Sequence, residues 1–170
     1  MDQRFRRAAW ALTFTVATAM PALAAALPSR AAGLWQSTTS VSGPDGKPLA
    51  NAANVVTLSC VDPATDTRFF TSGESQCAQL SIGGSGADYT IDGVCSQQGK
   101  TVQIHETLDY ASPQAVTLRA TLDSGNGAVV VVSHMQWQGK CLAGMQPGDE
   151  GDMQDGVFNK TDNINDAFNQ

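Results

Sequence analysis

Residues 101–137 read TVQIHETLDYASPQAVTLRATLDSGNGAVVVVSHMQW, and this stretch decides the fold class. In its first part, Val102, Ile104 and Leu108 alternate with polar residues, so they would share one face of an extended strand. Residues 116–122 repeat the same alternation. An apolar residue at every second position predicts antiparallel strands with one buried face and one solvated face.

The strand pattern extends in both directions from this stretch. Val129–Val132 is apolar at every position, which predicts a central or covered strand. Towards the N-terminus, clusters of Gly, Pro, Asn and Asp separate further runs of strand composition, and Asp62-Pro63 predicts one or two helical turns over residues 63–70. We therefore predict an all-β fold, an antiparallel meander of about seven strands that forms a curved sheet, a sandwich or a small barrel.

The N-terminus has the pattern of a secretory signal peptide. Three arginines precede a short apolar run, Ala8–Met20, and Ala22-Leu23-Ala24 matches the small-x-small site that signal peptidase cleaves. The run has 13 residues, whereas a helix needs about 20 to span a bilayer. We predict a signal peptide over residues 1–24, a linker over 25–32, a β-rich domain over 33–145 and an acidic, disordered tail over 146–170.

The charge of the chain limits its partners. The whole chain carries a net charge of −6, and residues 1–24 contain three arginines and one aspartate, so the remainder carries −8. Nucleic acids and anionic lipid headgroups need clustered Lys and Arg, so we expect neither as a partner. Such an acidic surface favours solubility and neutral or basic partners.

The four cysteines, Cys60, Cys77, Cys95 and Cys141, all follow the predicted cleavage site. An even count in an exported chain predicts two disulfides, and the spacings contain no CxxC pair of the redox or zinc type. Four cysteines allow three pairings, of which we favour Cys60–Cys77 with Cys95–Cys141. No cysteine lies near the cleavage site, so we expect no lipid anchor.

Several motifs of the chain together resemble a known family. Gly33-Leu34-Trp35 opens a Thr-rich strand, Cys60 precedes an Asp-Pro segment, and two cysteines flank a Gly-rich hairpin. Trp137, Gly139 and Cys141 then form a "W-x-G-x-C" ending. Over residues 33–141 this pattern resembles the domain-of-unknown-function family 3617 of exported Gram-negative bacterial proteins. The resemblance implies a periplasmic β-rich domain and implies no activity or site residues. Gln36 departs from the acidic residue of a "GLWE"-like start.

Constellations that could carry catalysis or bind metal are incomplete. His105 and His134 would need a carboxylate as third ligand, and Glu106 faces away from His105 along an extended strand. Asp88 and Asp92 would share a strand face, as the acid pair of a glycosidase does, but we interpret them as solvated charges on an exposed face. A Ser-His-Asp triad would depend on one of the two histidines, and the sequence contains no Gly-x-Ser-x-Gly elbow. We expect no catalytic residue, no metal and no cofactor.

Aromatic residues are the candidates for a ligand site or for the core. Trp35, Tyr89 and Trp137 could line a cavity if the sheet closes, or could fill the core. We expect Trp35 and Trp137 to be neighbours where the first and last strands meet.

The sequence favours a periplasmic, non-enzymatic binding module for a small apolar ligand or an envelope partner. The alternatives are a structural or stress-related interaction protein that uses its acidic tail and, behind it, a hydrolase. The sequence leaves open the ligand, the oligomeric state and the closure of the sheet.

Overall fold

A computed structural model describes residues 25–71, 77–97 and 99–166, and the predicted signal peptide lies outside these ranges. The runs of strand composition form strands, which confirms the all-β class. In chain order the elements of the described residues are β1 Gly33–Ser42, β2 Val55–Val61, α1 Arg68–Thr71, β3 Cys77–Ser85, β4 Asp88–Gln97, β5 Lys100–Ser112, β6 Ala115–Asp123, β7 Ala128–Gly139, β8 Asp149–Gln154 and β9 Val157–Asn163.

The described strands form one open antiparallel sheet of nine strands in the order β3-β4-β5-β6-β7-β1-β2-β8-β9. Strands β3 to β7 are a meander of hairpins, and β1 joins this meander to the remaining strands. Strand β7 is the fifth of the nine, so the central position predicted for Val129–Val132 is confirmed. Trp35 is the register partner of Trp137 across β1 and β7, which confirms that the two tryptophans are neighbours.

The sheet has an inner face, which carries the main core, and an outer face, which carries a smaller one. The inner core is centred on seven buried side chains: Trp35, Val61, Ile91, Leu108, Tyr110, Val116 and Met135. Residues 25–32 and helix α1 contribute Leu27, Ala31, Phe69 and Phe70 to this core. On the outer face, Leu34, Leu58 and Cys60 pack with Met145, which follows β7.

The sheet is strongly curved. Glu106 on β5 and Glu150 on β8 line the same cavity, although β6, β7, β1 and β2 lie between them. In a flat sheet, five strand spacings would separate them by about 24 Å. The inner face is therefore concave, which makes it the place to look for a ligand site.

The predicted disulfide pairing is wrong. The structure pairs Cys60 with Cys141, which we call the long-range disulfide, and Cys77 with Cys95, which we call the hairpin disulfide. The hairpin disulfide joins register partners on β3 and β4. In the long-range disulfide, Cys60 lies on the outer face of β2, where the chain that leaves β7 brings Cys141 back against it.

The prediction of a disordered tail is wrong for residues 149–163. These residues form the hairpin β8–β9, and β8 continues the sheet beyond β2. The hairpin forms because its polar side chains bond to one another: Asp149 is 2% exposed and accepts hydrogen bonds from the Gln146 amide at 2.8 Å and from Asn163 Nδ2 at 2.7 Å. Lys160 Nζ lies 2.6 Å from the same carboxylate.

The predicted linker, residues 25–32, has no regular secondary structure but lies against the sheet. The Ala25 amide donates to the Ile82 carbonyl at 3.2 Å, and the Ala31 amide donates to the Pro113 carbonyl at 2.7 Å. These bonds hold Arg30, which is 5% exposed, beneath the inner face. The segment thus contributes to the concave side rather than connecting two separate parts.

Candidate functional site

A cavity of about 280 Å³ lies in the concave inner face. Its polar lining consists of three charged side chains and five hydroxyls: Arg30, Glu106, Glu150, Ser37, Thr39, Thr57, Ser59 and Ser133. Its apolar lining consists of Phe69, Phe70, Leu118, Val131 and Met135. Ligand sites in proteins combine an apolar wall with a few convergent polar groups in this way.

Glu106 is the most unusual residue of this lining. It projects from β5 into the inner face, and its register partners on the two neighbouring strands are Ile91 and Ala120. Both partners are apolar and buried, and no described side chain is hydrogen-bonded to the Glu106 carboxyl group. Burial disfavours the charged form, and it raises the pKa of Glu106 to about 7.

A second acidic group enters the cavity from β8. Glu150 is the register partner of Ser59, whose hydroxyl donates to Glu150 Oε1 at 3.2 Å. Burial raises the pKa of Glu150, and the Ser59 hydrogen bond works in the opposite direction. The cavity therefore holds two partly desolvated carboxyl groups.

Arg30 is the one basic residue of the cavity lining. Its Nε donates to Asp66 Oδ1 at 2.6 Å and its backbone amide donates to Asp66 Oδ2 at 2.7 Å, so the aspartate neutralises the guanidinium. The guanidinium carbon lies 4.6, 5.0 and 5.3 Å from the ring centroids of Phe70, Trp35 and Phe69. Cation–π contacts of this kind stabilise a cation that has left water.

One donor of Arg30 remains free. The Arg30 side chain as a whole is only 2% exposed. Its Nη2 is buried and has no hydrogen-bond partner among the described residues. An unpaired buried donor costs about 1–3 kcal/mol. A ligand in the cavity could supply the missing acceptor.

The hydroxyls complete the polar lining. They lie on β1, β2 and β7, at positions where the inner face carries Ser or Thr instead of a larger apolar side chain. Thr39 and Ser133 are hydrogen-bonded to each other at 2.9 Å. A hydroxyl can both donate and accept a hydrogen bond, so this lining can pair with a ligand group that is a donor or with one that is an acceptor.

The aromatic residues predicted from the sequence belong to the inner core or pack against it, and they do not line the cavity. Trp35 is fully buried in the inner core, and its indole N–H donates to the Ala31 carbonyl at 2.7 Å. Trp137 is half-buried and donates to the Ala32 carbonyl at 3.0 Å. Tyr89 is also half-buried and makes an edge-on contact with Tyr110, with ring centroids 5.9 Å apart. The aromatic rings that do line the cavity are Phe69 and Phe70.

The two histidines are not brought together. They lie on β5 and β7, with β6 between them. His105 Nδ1 lies 2.6 Å from Asp92 Oδ1, and His134 Nδ1 lies 3.3 Å from Thr117 Oγ1. Within the described residues neither histidine bonds to both a hydroxyl and a carboxylate, as a hydrolase triad requires.

A larger depression of about 780 Å³ involves Asp92 and His105. Their side chains are 56% and 55% exposed, and they bond to each other. The other aspartate of the predicted carboxylate pair, Asp88, lies opposite Asp109 at the β4–β5 pairing, and both are exposed. Because these charged groups are solvated, we assign no ligand to this surface.

Sequence reasoning missed the three charged residues of the cavity. The available signal was Glu106, which occupies the apolar phase of β5 between Ile104 and Leu108. A charged residue in the buried phase of a strand marks either a paired charge or a site. Arg30 and Glu150 gave no such signal, because both lie in segments that lack the alternation.

In the part of the chain that the structure describes, no group of three or more His, Cys, Asp and Glu residues could hold a metal ion. No helix within the same residues is both long and apolar enough to cross a membrane.

Comparison with known proteins gives one match. A family model described as a protein of unknown function, DUF3617, matches residues 30–141. No curated protein and no solved structure matches the chain. The matched residues include all of the cavity lining except Glu150, which the hairpin β8–β9 adds.

Proposed function

We propose that this chain, which belongs to the DUF3617 family of proteins of unknown function, is a non-enzymatic binding module that holds a small ligand in its concave cavity. The observation that carries the proposal is the polar lining of that cavity, which is buried or half-buried. Two partly desolvated carboxyl groups and Arg30, whose Nη2 donor is unpaired, line a space of about 280 Å³. Buried polar groups without partners are rare in native proteins, and a ligand would supply those partners.

The ligand we propose is amphipathic rather than wholly apolar. Phe69, Phe70 and Val131 offer an apolar wall, while Glu106 and the hydroxyls require hydrogen-bonding groups. A purely apolar molecule would leave these polar groups desolvated and unpaired, which opposes binding.

We further propose that the protein works in the periplasm. The pattern of residues 1–24 supports export. The two disulfides support an oxidising compartment.

Native mass spectrometry of the protein, purified gently from its own envelope fraction, tests the binding function. We expect a reproducible small extra mass that is lost on denaturation. Ser37→Leu, which fills part of the cavity, should abolish the adduct, whereas Ser40→Leu on the opposite face of β1 should keep it. An adduct-free spectrum of the wild-type protein would contradict the proposal.

A second candidate is binding of a protein partner through the hairpin β8–β9. The observation that favours it is the exposure of two apolar residues on this acidic hairpin, Met153 at 49% and Val157 at 68%. Strand β9 is also the last strand of the described sheet order, and edge strands can pair with other chains. A protein-sized adduct in the same spectrum, lost in the double variant Met153→Lys/Val157→Lys, would favour this role.

A further inference from the structure

The balance of charge in the cavity identifies the class of ligand. Glu106 and Glu150 are the acidic residues of the lining, and Arg30 is the basic one. Asp66 already neutralises Arg30 through two bonds to its carboxylate. Arg30 still favours the charged form of Glu150 and so works against the burial that raises its pKa, but no charged group acts on Glu106 in this way. The lining therefore carries an excess of negative charge, which favours a positively charged ligand.

The surrounding strands provide no other counter-ion for Glu106. Its neighbours on β4 and β6 are Ile91 and Ala120. The nearby charged residues His105, Asp109 and Arg119 occupy the opposite, outer face in the alternation of β5 and β6. Glu106 is half-buried, and a partly desolvated carboxylate without a partner is unfavourable. A cation that enters the cavity would supply the interaction that these strands do not.

Arg30 adds a second requirement, independent of the acidic pair. Its Nη2 is a buried donor without a partner among the described residues. Since Asp66 already balances its charge, Nη2 needs only a neutral acceptor such as a hydroxyl or carbonyl oxygen.

The size of the cavity limits the ligand further. A space of about 280 Å³ corresponds to roughly nine water molecules at about 30 Å³ each, and hence to a ligand of about ten non-hydrogen atoms. The rings of Phe69 and Phe70 can cover an aromatic or aliphatic group of that size.

We propose that the cavity binds a small amphipathic amine, whose ammonium group contacts Glu106 and Glu150 and whose oxygen accepts a hydrogen bond from Arg30. An ammonium group has three N–H donors, which the two carboxylates and the hydroxyls of Ser37 and Ser59 can accept. This inference rests on the binding function proposed above and specifies its ligand.

Calorimetric titration with matched probes tests this inference. The probe is phenylalaninol, which carries an amine, a hydroxyl and a phenyl ring, and its neutral counterpart is 3-phenylpropane-1,2-diol. At pH 8 we expect the amine to bind at least tenfold more tightly than the diol, because charged hydrogen bonds contribute more than neutral ones. Phenethylamine, which lacks the hydroxymethyl group, should bind several-fold more weakly than phenylalaninol.

Variants of the cavity separate the contributions. Glu106→Gln and Glu150→Gln should each weaken phenylalaninol binding about tenfold and leave diol binding within about twofold. Asp109→Asn removes a carboxylate from the outer face of β5 and is the matched control, so it should leave both affinities unchanged. Two acidic variants keep the test valid if one of them folds poorly.

The outcomes distinguish this inference from the function on which it rests. If the diol binds as tightly as the amine, the cavity is a binding site but its ligand is not a cation. If the amine binds Glu106→Gln and Glu150→Gln as tightly as it binds the wild-type protein, the amine does not use the acidic pair. If no probe binds and the envelope-purified protein also lacks an adduct, both proposals are wrong.

Discussion

The substitution Glu106→Gln should stabilise the folded protein at alkaline pH and leave it unchanged in acid. Burial between Ile91 and Ala120 raises the pKa of Glu106 from 4.5 to about 7. The folded state therefore favours the protonated carboxyl group, and its contribution to stability is fully present below pH 4.5. That contribution is lost as the pH rises to about 7, because the unfolded chain ionises first.

The size of the effect follows from the shift. Each pKa unit corresponds to about 1.4 kcal/mol, so the shift of Glu106 destabilises the folded protein by about 3 kcal/mol above pH 8. Gln has nearly the shape of the protonated side chain and does not ionise. The free energy of unfolding of Glu106→Gln, relative to wild type, should therefore rise by about 3 kcal/mol between pH 4 and pH 8.5.

Urea unfolding at several pH values, followed by tryptophan fluorescence, measures this difference. Asp109→Asn, on the outer face of the same strand, controls for the loss of one negative charge. Glu150 is present in all three proteins, so its own titration largely cancels from the comparison. A difference between Glu106→Gln and wild type that stays constant from pH 4 to pH 8.5 would refute the reasoning. Stabilisation that comes with weaker ligand binding is the expected behaviour of a binding-site residue.

Three further predictions concern what holds the concave face in place. Asp66→Ala should destabilise the protein by about 3–5 kcal/mol in thermal or urea unfolding, because it leaves Arg30 as an uncompensated buried charge. The double variant Arg30→Met/Asp66→Leu removes both charges and should recover much of this loss. Replacing the long-range disulfide by two alanines should lower the free energy of unfolding by about 4.5 kcal/mol, and replacing the hairpin disulfide should lower it by about 3 kcal/mol. The difference follows from the sequence separations, which are 81 and 18 residues. A larger loss for the hairpin disulfide would contradict this estimate. Deleting residues 146–170 should lower the melting temperature strongly, since it removes β8 and β9 from the sheet, whereas an unchanged melting temperature would restore the interpretation of a dispensable tail.

Strand alternation was the part of the fold that could be read from the sequence. Val102, Ile104 and Leu108 have the predicted common face, and the all-apolar run Val129–Val132 lies in the central strand. Both predictions rest on burial alone, and the burial of a strand face is directly visible as the spacing of apolar residues in the sequence.

The hairpin β8–β9 could not be read in this way. Its strands read DEGDMQ and VFNKTDN, with few apolar residues. They are held by pairing to β2 and by a polar cluster around the buried Asp149. Contacts of that kind join residues that are distant in the chain or chemically unremarkable, so composition alone indicates disorder.

The disulfide pairing and the cavity depend on tertiary geometry as well. Strand β1 pairs with both β2 and β7, so the end of β7 lies only two strand spacings from Cys60, and Cys141 follows that end closely. Residue spacing does not reveal this arrangement. Arg30 enters the cavity lining from a segment without strand or helix periodicity. Of the charged residues of the cavity, only Glu106 could be recognised from the sequence, because it is a charged residue in the buried phase of its strand.

Methyl NMR of the protein, titrated with phenylalaninol, tests the central claim that the concave cavity is the ligand site. Strand β7 supplies an internal control, because Val131 and Met135 line the cavity while Val130 and Val132 occupy the opposite phase of the same strand. The account predicts saturable shifts of the Val131 and Met135 methyl signals, with those of Val130 and Val132 nearly unchanged. Shifts confined to outward-facing methyl groups, or no saturable shift at all, would contradict it.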